Sequence, residues 1–503
     1  MRIIVFLNTK AYVRNYLTTN AFGRVKGHKL SYLLPEELES AAIDTGTIFA
    51  QDILTFKISG GEYFRKKAFS LNNQLEMLAK SSLNPNFLFR LRRELIPNIY
   101  ASLTVPKWNQ VNKGHSLVRF FPERFLKSPV VNNTLCIAKF ARGIIRDLLG
   151  LIKYVALVVT LKLGFKPLLS SALVKYVPSD PSLLAILSLE KADLLVVPSS
   201  AVDANSYEVM RIIRRLGVGK VLLLVDNWDN LSSKSSMILA PDFLGVLGRQ
   251  SVEFAESIHG IEPSRVCILG TPRFDVYRAY RHQTIGRSVT DRELVGVPYM
   301  LFVGCAVGFD ELNALRALSM AVSSMSSSLP KDTSILYRPH PWGAREFYLR
   351  TLDEDPIENV IVDPQTAAGR AMVGADFQPA LEYYPALFEG AILVVCPLST
   401  MILEATIMRK QVIVLTHDDD VSLLSPNRML KFYRHFEGID TLENLQLVPD
   451  LSQLTLAIRR AVEAKDLVLI PDGVNFYVET RAPEYTERLA GLIDSIDFRL
   501  RSL

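Results

Sequence analysis

The feature that most constrains the fold of this chain is the regular alternation of short apolar runs with longer helical patterns. The apolar runs of the first half are RIIVFLN, KLSYLL, DLLVVPS, VLLLVD, FLGVLG and RVCILG. Those of the second half are YMLFVG, SILYRPH, NVIVD, AILVVCP and QVIVLT. The stretches between them, such as SYEVMRIIRRLG, have the apolar spacing of helices. Strands that alternate with helices are typical of parallel sheets covered by helices, so the predicted class is α/β.

The length and one polar stretch predict how the chain divides. A chain of 503 residues exceeds the size at which one core keeps growing, so at least two domains are expected. The polar stretch at 279–297 separates the two sets of apolar runs and is the predicted linker. We predict two doubly wound, Rossmann-like domains at 1–285 and 298–480 that face a central cleft, with an irregular insertion near 60–150 in the first. The pattern YTERLAGLIDSIDFRL within 481–503 predicts a helix that crosses back to the first domain.

Charge and cysteine usage narrow the class of protein. The formal net charge of +5 does not indicate a nucleic-acid-binding protein and is compatible with an anionic substrate or an anionic membrane surface. The four cysteines lack metal-ligand or pairing spacing, which favours a reducing, cytoplasmic location. Neither a P-loop motif nor a G-x-G-x-x-G motif after the first strand occurs. We expect no metal and no resident cofactor.

One segment, LLGLIKYVALVVTLKLGF near 148–165, is apolar enough to suggest membrane contact. Lys153 and Lys162 lie inside it, and lysines in the middle of a bilayer are unfavourable, so a buried or interfacial helix is favoured over a span. The basic residues around it suit a peripheral contact with anionic lipid at the inner membrane face. A core helix with snorkelling lysines is the alternative. The N-terminal MRIIVFLNTK is expected to be a first core strand and not a signal peptide.

Polar side chains follow five of the predicted strands. In chain order they are Tyr12, Arg14 and Asn15; Asp226 and Asp229; Arg273; Arg338 and His340; and Ser399, Thr400 and Glu404. Each one alone is typical of a helix cap or a surface ion pair. Ligands of doubly wound sheets bind at the carboxyl ends of the strands, however, and both sheets are expected to face one cleft. Five such strand ends together therefore predict a binding site.

The segment CPLSTMILEA indicates the chemistry of that site. A capping box places Glu three residues after the cap, but Glu404 is four residues from Thr400 and five from Ser399. We therefore expect Glu404 to accept hydrogen bonds from a ribose diol, and Ser399 and Thr400 to donate to a phosphate at the helix N-terminus. Arg338 and His340 are expected to neutralise the phosphate charge of a leaving group.

Three segments resemble a known family: LGTPRFD at 269–275, RPHP at 338–341 and LSTMILEATIMRKQVIVL at 398–415. The family is the GT-B glycosyltransferases of bacterial surface polysaccharide biosynthesis. The resemblance is greatest to the branch with CDP-glycerol glycerophosphotransferase-like, Kdo-transferase-like and UDP-GlcNAc 2-epimerase-like proteins. It covers the second domain and the edge of the first and is weak over 30–220. The position eight residues before Glu404 is Cys396, so the glutamate pair of one retaining type is absent.

The resemblance implies that Ser399 and Thr400 contact a donor phosphate, Glu404 a ribose, and that His340 lies near the phosphate or the reacting centre. The predicted donor-binding set is Gly304, Arg338, His340, Ser399, Thr400, Glu404 and Arg273. The predicted catalytic set is Asp229, Asp226 and His340, with one aspartate as general base. The predicted acceptor side is Tyr12, Arg14 and Asn15.

The leading hypothesis is a glycosyltransferase that moves a sugar from a nucleotide-activated donor to a saccharide or lipid-linked acceptor. A CDP-polyol phosphotransferase of the same fold and a non-catalytic scaffold in a polysaccharide assembly complex are the alternatives.

Overall fold

The computed structural model describes residues 1–57, 61–105, 129–199, 203–234, 236–281, 297–305, 309–340, 345–369, 379–420 and 422–502. These residues form two parallel sheets, of seven and six strands, with helices on both faces. This confirms the predicted α/β class. Most of the predicted linker at 279–297 lies outside the described residues.

The thirteen strands of the described chain are Arg2–Phe6 (β1), Lys29–Pro35 (β2), Ile53–Phe56 (β3), Leu194–Ser199 (β4), Lys220–Val225 (β5), Phe243–Val246 (β6), Val266–Ile268 (β7), Tyr299–Val303 (β8), Ser334–Arg338 (β9), Val360–Val362 (β10), Ala391–Pro397 (β11), Val412–Leu415 (β12) and Leu445–Val448 (β13).

The helices of the described first half are Lys10–Tyr12 (α1), Glu39–Ile43 (α2), Glu62–Ala79 (α3), Pro85–Leu95 (α4), Pro97–Thr104 (α5), Pro129–Lys162 (α6), Lys166–Tyr176 (α7), Pro181–Glu190 (α8), Ala204–Leu216 (α9), Arg249–Ser257 (α10) and Pro272–Arg281 (α11). Those of the second half are Glu311–Ser324 (α12), Arg345–Glu354 (α13), Pro364–Ala368 (α14), Tyr383–Glu389 (α15), Met401–Ile407 (α16), Pro426–Phe432 (α17), Leu454–Ala464 (α18), Val474–Tyr477 (α19) and Tyr485–Arg501 (α20).

The strand orders place a topological switch point in each sheet. The first sheet runs β3-β2-β1-β4-β5-β6-β7 and the second runs β10-β9-β8-β11-β12-β13. All neighbouring strands are parallel, so their carboxyl ends share one edge of each sheet. The order reverses between β1 and β4 and between β8 and β11, and crevices at such points are where ligands of doubly wound sheets bind.

The core follows from the two-residue period of the strands. In β1, Ile3 and Val5 face one side of the sheet, and Ile4 and Phe6 face the other. The side of Ile4 belongs to a core that continues into the second sheet, whereas the side of Ile3 is covered by α20. Helix α20 therefore crosses back to the first sheet, as predicted.

The described part of the predicted insertion near 60–150 is helical instead of irregular. Helices α3, α4, α5 and α6 occupy it because apolar residues recur at helical spacing between the prolines that open α4 and α5. The apolar segment near 148–165 forms the end of α6. Within the described chain, no single helix is long and apolar enough to cross a bilayer, but the pair 145–162 and 166–176, bent by 108°, meets the length and composition requirements together.

Candidate functional site

Several of the predicted strand-end residues meet in the crevice between the two sheets. Arg14 follows β1, Asp226 follows β5 and Arg273 opens α11, all in the first half of the chain. Glu404 of α16 and Arg338 of β9 come from the second half. Electrostatic interactions link Arg14 to Asp226, Arg273 and Glu404, and link Arg338 to Glu404. We call these five residues the cleft cluster.

Asn15 connects two members of the cleft cluster. It and Arg14 lie on the π-helical turn Val13–Thr18, a form of helix common at functional sites. Arg14 donates through Nε and Nη2 to Asn15 Oδ1, each at 3.2 Å. Asn15 Nδ2 in turn donates to Asp226 Oδ1 at 3.1 Å. This chain of hydrogen bonds fixes the orientation of the Asp226 carboxylate.

Asp226 is buried, and its environment sets its acidity. Burial raises the pKa of this carboxyl, while Arg273, the hydrogen bond from Asn15 and then Arg14 act in the opposite direction. The second oxygen, Oδ2, accepts a hydrogen bond from Asn227 Nδ2 at 3.1 Å. The net result is a raised pKa, which brings the group nearer to the range in which a carboxylate takes up a proton from a hydroxyl.

Arg273 is the group in the cleft cluster that most clearly lacks a partner. Its Nε and Nη2 atoms are buried, and neither has a hydrogen-bond partner among the described residues. Burial lowers the pKa of Arg273, but Glu404 and then Asp226 reverse this, and the pKa is raised overall. These two atoms carry three N–H groups, and buried donors of a charged group are almost always satisfied, so the guanidinium of Arg273 is suited to bind an anionic group.

Glu404 lies one turn inside α16 and is 5% exposed. Its Oε2 atom accepts a hydrogen bond from the Tyr277 hydroxyl of α11, which joins the two halves of the chain across the cleft. Burial and the charge of Glu404 raise the pKa of Tyr277 well above its usual value, so Tyr277 is the donor. The predicted bond to a ribose diol would therefore fall to the other oxygen, Oε1.

Arg338 and His340 leave β9 together, as predicted. Arg338 is buried and donates through Nη2 to the Tyr384 hydroxyl at 3.0 Å. Burial lowers the pKa of Arg338, but Tyr384 and then other neighbouring groups raise it overall. His340, two residues further on, is half-buried at the same sheet edge. Its predicted role near a phosphate stays a prediction.

The structure gives a steric reason for glycine at position 304, which the sequence did not indicate. A Cβ atom at this position would lie 2.5 Å from Oε2 of Glu311, which is buried at the start of α12. Glu311 accepts hydrogen bonds from the Tyr337 hydroxyl and, at 3.0 Å, from Cys305 N. Burial raises the pKa of Glu311 to about 7, against the effect of these hydrogen bonds. A carboxyl that titrates near neutral pH therefore lies directly behind the end of β8.

Ser399 and Thr400 lie at the predicted position, before α16, and both are half-buried. Ser399 Oγ accepts a hydrogen bond from Met401 N at 3.1 Å, whereas Thr400 makes no capping bond through its side chain. The hydroxyl hydrogen of Ser399 remains available to donate. Helix α16 has only seven residues, so its dipole is short. The hydroxyls of Ser399 and Thr400 are therefore stronger candidates for contact with an anion than the helix dipole.

Two predicted site residues have other partners. Tyr12 is buried, and its ring packs edge-on against Tyr16 at 6.5 Å between centroids, in the core under α20. We therefore assign it to packing and not to an acceptor surface. Asp229 forms an ion pair with Lys234 at 3.1 Å, on the turn that follows β5. Of the two candidate bases, Asp226 is the one that lies in the cleft cluster.

Sequence reasoning missed Tyr277 and Tyr384, the two hydroxyl partners of the cluster. Tyr277 follows Arg273 by four residues, so both lie on one face of α11, and that spacing was a usable signal. Tyr384 lies 46 residues from its partner Arg338, and no local pattern marks it. Among the described residues, no group of three His, Cys, Asp or Glu side chains is placed to hold a metal ion.

Comparison with known proteins bears on the fold. No protein-family profile matches the chain, and no curated protein matches it significantly. A UDP-GlcNAc 2-epimerase from Methanocaldococcus jannaschii is 11% identical, with a TM-score of 0.51 over 98% of this chain and 100% of the other. A UDP-GlcNAc 2-epimerase from Neisseria meningitidis is 8% identical, with a TM-score of 0.47 over 99% and 100%. A glycosyltransferase from Rickettsia africae is 9% identical, with a TM-score of 0.41 over 100% and 96%. The likeness to the Methanocaldococcus jannaschii protein shows that this chain has the same two-domain α/β fold.

Proposed function

We propose that this protein is an enzyme that binds a nucleotide-activated sugar in the cleft and transfers the sugar to a hydroxyl group of an acceptor. The observation that carries the proposal is the buried guanidinium of Arg273, which interacts with Glu404 and Asp226 but whose Nε and Nη2 atoms have no hydrogen-bond partner among the described residues. A fold shared with a UDP-GlcNAc 2-epimerase supports a nucleotide sugar as the ligand.

The cations of the cleft cluster suit a diphosphate. Burial lowers the pKa of Arg14, and Arg273 acts in the same direction, while Tyr384, Asp226 and Glu404 only partly offset this. Two guanidinium groups that repel each other in a buried crevice are stabilised when an anion binds between them. Arginine also donates two parallel hydrogen bonds to phosphate oxygens, which fixes the orientation of the donor.

The transfer step can be written with the groups of the cleft cluster. Asp226 accepts the proton of the acceptor hydroxyl while the hydroxyl oxygen forms a bond to the anomeric carbon of the sugar. The bond from that carbon to the diphosphate oxygen breaks, and the nucleoside diphosphate departs with the electron pair. Arg273 and Arg338 stabilise the negative charge that develops on the leaving group. Glu404 accepts hydrogen bonds from the ribose hydroxyls through Oε1.

Calorimetric titration with UDP, CDP, GDP and dTDP tests the donor site. We expect one of these nucleotides to bind to the wild-type protein and to bind about 10- to 100-fold more weakly to Arg273→Gln, because a hydrogen bond to a charged group contributes ~1.5–3 kcal/mol. Arg273→Lys keeps the charge but not the two parallel hydrogen bonds, so an intermediate affinity is expected.

Arg316, an exposed arginine paired with Asp355 at 2.9 Å, is the matched control, and Arg316→Gln is expected to bind like the wild type. No binding of any nucleotide, or equal losses in both glutamine variants, would contradict the donor site. Incubation with the matching nucleotide sugar then separates reactions: transfer releases nucleoside diphosphate only when an acceptor is present. A changed sugar configuration with no nucleotide released would instead identify an epimerase.

A further inference from the structure

We propose that the bent helix pair α6–α7 is a membrane-docking surface that lies in the headgroup region of a bilayer containing anionic lipid. The surface consists of the exposed apolar side chains between Ile145 and Tyr176. The inference goes beyond the proposed function and does not depend on it, because it is carried by a part of the chain outside the cleft.

An apolar stripe runs along the outer face of this helix pair. Its exposed members are Ile145, Leu148, Leu149, Ile152, Val155, Val159 and Leu163, followed by Phe165, Leu168 and Tyr176. Each of the first six lies three or four residues from at least one other of the six, so they share one face of α6, and Leu163 follows the last residue of that helix. Ile152 is 66% exposed and Leu168 is 70% exposed. A contiguous apolar surface of this length is unusual on a protein that contacts only water.

The opposite face of α6 fixes the direction in which the stripe points. Asp147 is buried and accepts a hydrogen bond from Ile99 N at 2.8 Å. A Cβ atom at Gly150 would lie 1.7 Å from the backbone oxygen of Leu95, so α6 and α4 touch backbone to backbone there. Leu157, two helical turns after Gly150 on the same face, is also buried. The inner face is therefore already packed, and the stripe cannot turn inward to bury itself.

The charges that α6 and α7 themselves carry near the stripe are almost all positive, although Lys166 is paired with Glu76 of α3 at 2.7 Å. From 142 to 176 the sequence contains six Lys and Arg residues and one acidic residue, the buried Asp147. Lys162 and Lys175 are exposed near the ends of the two helices, and Arg146 is exposed beside the first turn of the stripe. Lys153 lies in its middle, where burial and then the neighbouring Lys67 lower its pKa, and Glu94 acts in the opposite direction. Long cationic side chains around an apolar face match anionic headgroups above acyl chains.

The bend of the helix pair and its positive charges favour a bilayer surface as the binding partner over a membrane span or a second copy of the chain. A straight span does not fit, since the pair is bent by 108° and carries Lys153 within the apolar run. A second copy of the chain would place like charges against each other, and lysine is depleted in the cores of protein interfaces. A helix pair that lies flat, with its apolar stripe among the acyl chains and its lysines at the phosphates, satisfies both features.

Helix α4 lies between this docking surface and the residues around the cleft. Helix α6 packs on α4, and α4 bonds to both halves of the chain: Arg90 donates to Ser233 O at 3.0 Å, and Arg93 donates to Tyr433 OH at 3.3 Å. A docked protein would therefore hold the loop after β5 at a fixed distance from the membrane.

Co-sedimentation of the full chain with phosphatidylcholine vesicles, with and without phosphatidylglycerol, tests the proposal. We expect binding to the vesicles that contain phosphatidylglycerol, and weaker binding at high salt. The double variant Leu149→Glu/Ile152→Glu is expected to bind at least about tenfold more weakly, because two apolar contacts become charged. Lys162→Gln and Lys175→Gln are each expected to weaken binding to anionic vesicles by about fivefold.

Met320→Glu is the matched control, because Met320 is 73% exposed on α12 of the other half of the chain. It is expected to bind vesicles like the wild type. Circular dichroism melting checks that every variant is folded. Failure of the wild type to bind anionic vesicles would overturn the proposal, as would equal binding by the double variant. A wild-type dimer that the double variant converts to a monomer, without vesicle binding, would identify a second copy of the chain as the occupant.

Discussion

Asp226 differs from an ordinary strand-end helix cap in its surroundings. It is 3% exposed, it is oriented by Asn15, and it lies between two guanidinium groups. If it is the general base, Asp226→Asn should lower the turnover number by about 10²- to 10⁴-fold, the usual contribution of a positioned base. The amide oxygen can still accept the hydrogen bond from Asn15, so the fold should be retained. Steady-state kinetics with the nucleotide sugar identified by titration measures the effect.

Asp229→Asn is the control for this prediction. Asp229 is partly exposed and paired with Lys234, and an exposed ion pair contributes little to stability. We expect turnover within a few-fold of the wild type. If Asp229→Asn is the more damaging substitution, the base has been assigned to the wrong aspartate.

The raised pKa of Glu311 predicts how the free energy of unfolding depends on pH. Its pKa is raised to about 7 in the folded protein, so between its unfolded value and pH 7 the folded state holds a proton that the unfolded state has lost. The free energy of unfolding should therefore fall as the pH rises through this window, by about 3 kcal/mol as an upper bound. Glu311→Gln removes the titration and should be more stable than the wild type at pH 8, but not at pH 4.

Urea unfolding of both proteins at the two pH values measures this difference. Glu253→Gln, at a surface carboxylate whose side chain is 54% exposed, is the control and should change the free energy of unfolding little at either pH. A constant difference between Glu311→Gln and the wild type across the pH range would show that folding does not raise the pKa of Glu311.

The site illustrates what the sequence can and cannot predict at the residue scale. Arg14, Asp226 and Arg273 are predictable from their position after strands, because the carboxyl ends of parallel strands lie at one edge of the sheet. The sequence does not show which face of a short segment turns inward, and Tyr12, predicted on the acceptor side, packs in the core. The bond from Tyr277 to Glu404 joins residues 127 positions apart, and only the packing of two halves creates it.

At the scale of elements, a strand is predictable from the sequence when its apolar run is unbroken. All eleven predicted strands exist, and most of them are buried on both faces and therefore apolar throughout. The two that were missed, Ile53–Phe56 and Leu445–Val448, are edge strands of their sheets. In each of them a polar residue, Thr55 or Gln446, interrupts the apolar run, whereas the shorter edge strands Val266–Ile268 and Val360–Val362 are apolar throughout.

Helix α20 offers a matched pair of substitutions within one element. Ile493 is fully buried against the first sheet, so Ile493→Ala should lower the free energy of unfolding by about 2–5 kcal/mol. Gly491, two residues earlier, faces open space, and a Cβ atom added there would meet no atom of a neighbouring element within 4 Å. Gly491→Ala should therefore raise the free energy of unfolding by up to ~1 kcal/mol, because alanine favours the helix. Urea unfolding checks both, and a stabilising Ile493→Ala would show that α20 is not part of the folded core.

At the scale of the whole molecule, the two halves are joined on both sides of the cleft. On one side, Tyr277 and Arg273 meet Glu404. On the other, the imidazole of His435 bonds to Ser232 Oγ at 3.1 Å. Burial lowers the pKa of His435 to about 4, so the ring is neutral at physiological pH and its burial requires no counter-charge. These contacts belong to a hydrophobic core that continues from the first sheet into the second.

Trp228 is the largest side chain in this shared core, and its packing determines what we expect for the unfolding of the two halves. Its ring packs edge-on against His435, Phe436 and Tyr477 at 5.1, 5.2 and 5.4 Å between centroids. Because one core spans both sheets, we expect a single calorimetric transition for the wild type. Trp228→Ala should lower the free energy of unfolding by about 3–5 kcal/mol and lower the temperature of this single transition, because the rest of the shared core and the hydrogen bonds between the halves remain. Phe498→Ala, at a ring that is 75% exposed on α20, should leave one transition at an unchanged temperature. Two transitions in the wild type would mean that the halves fold independently, and the cleft would then have to be assembled by the ligand.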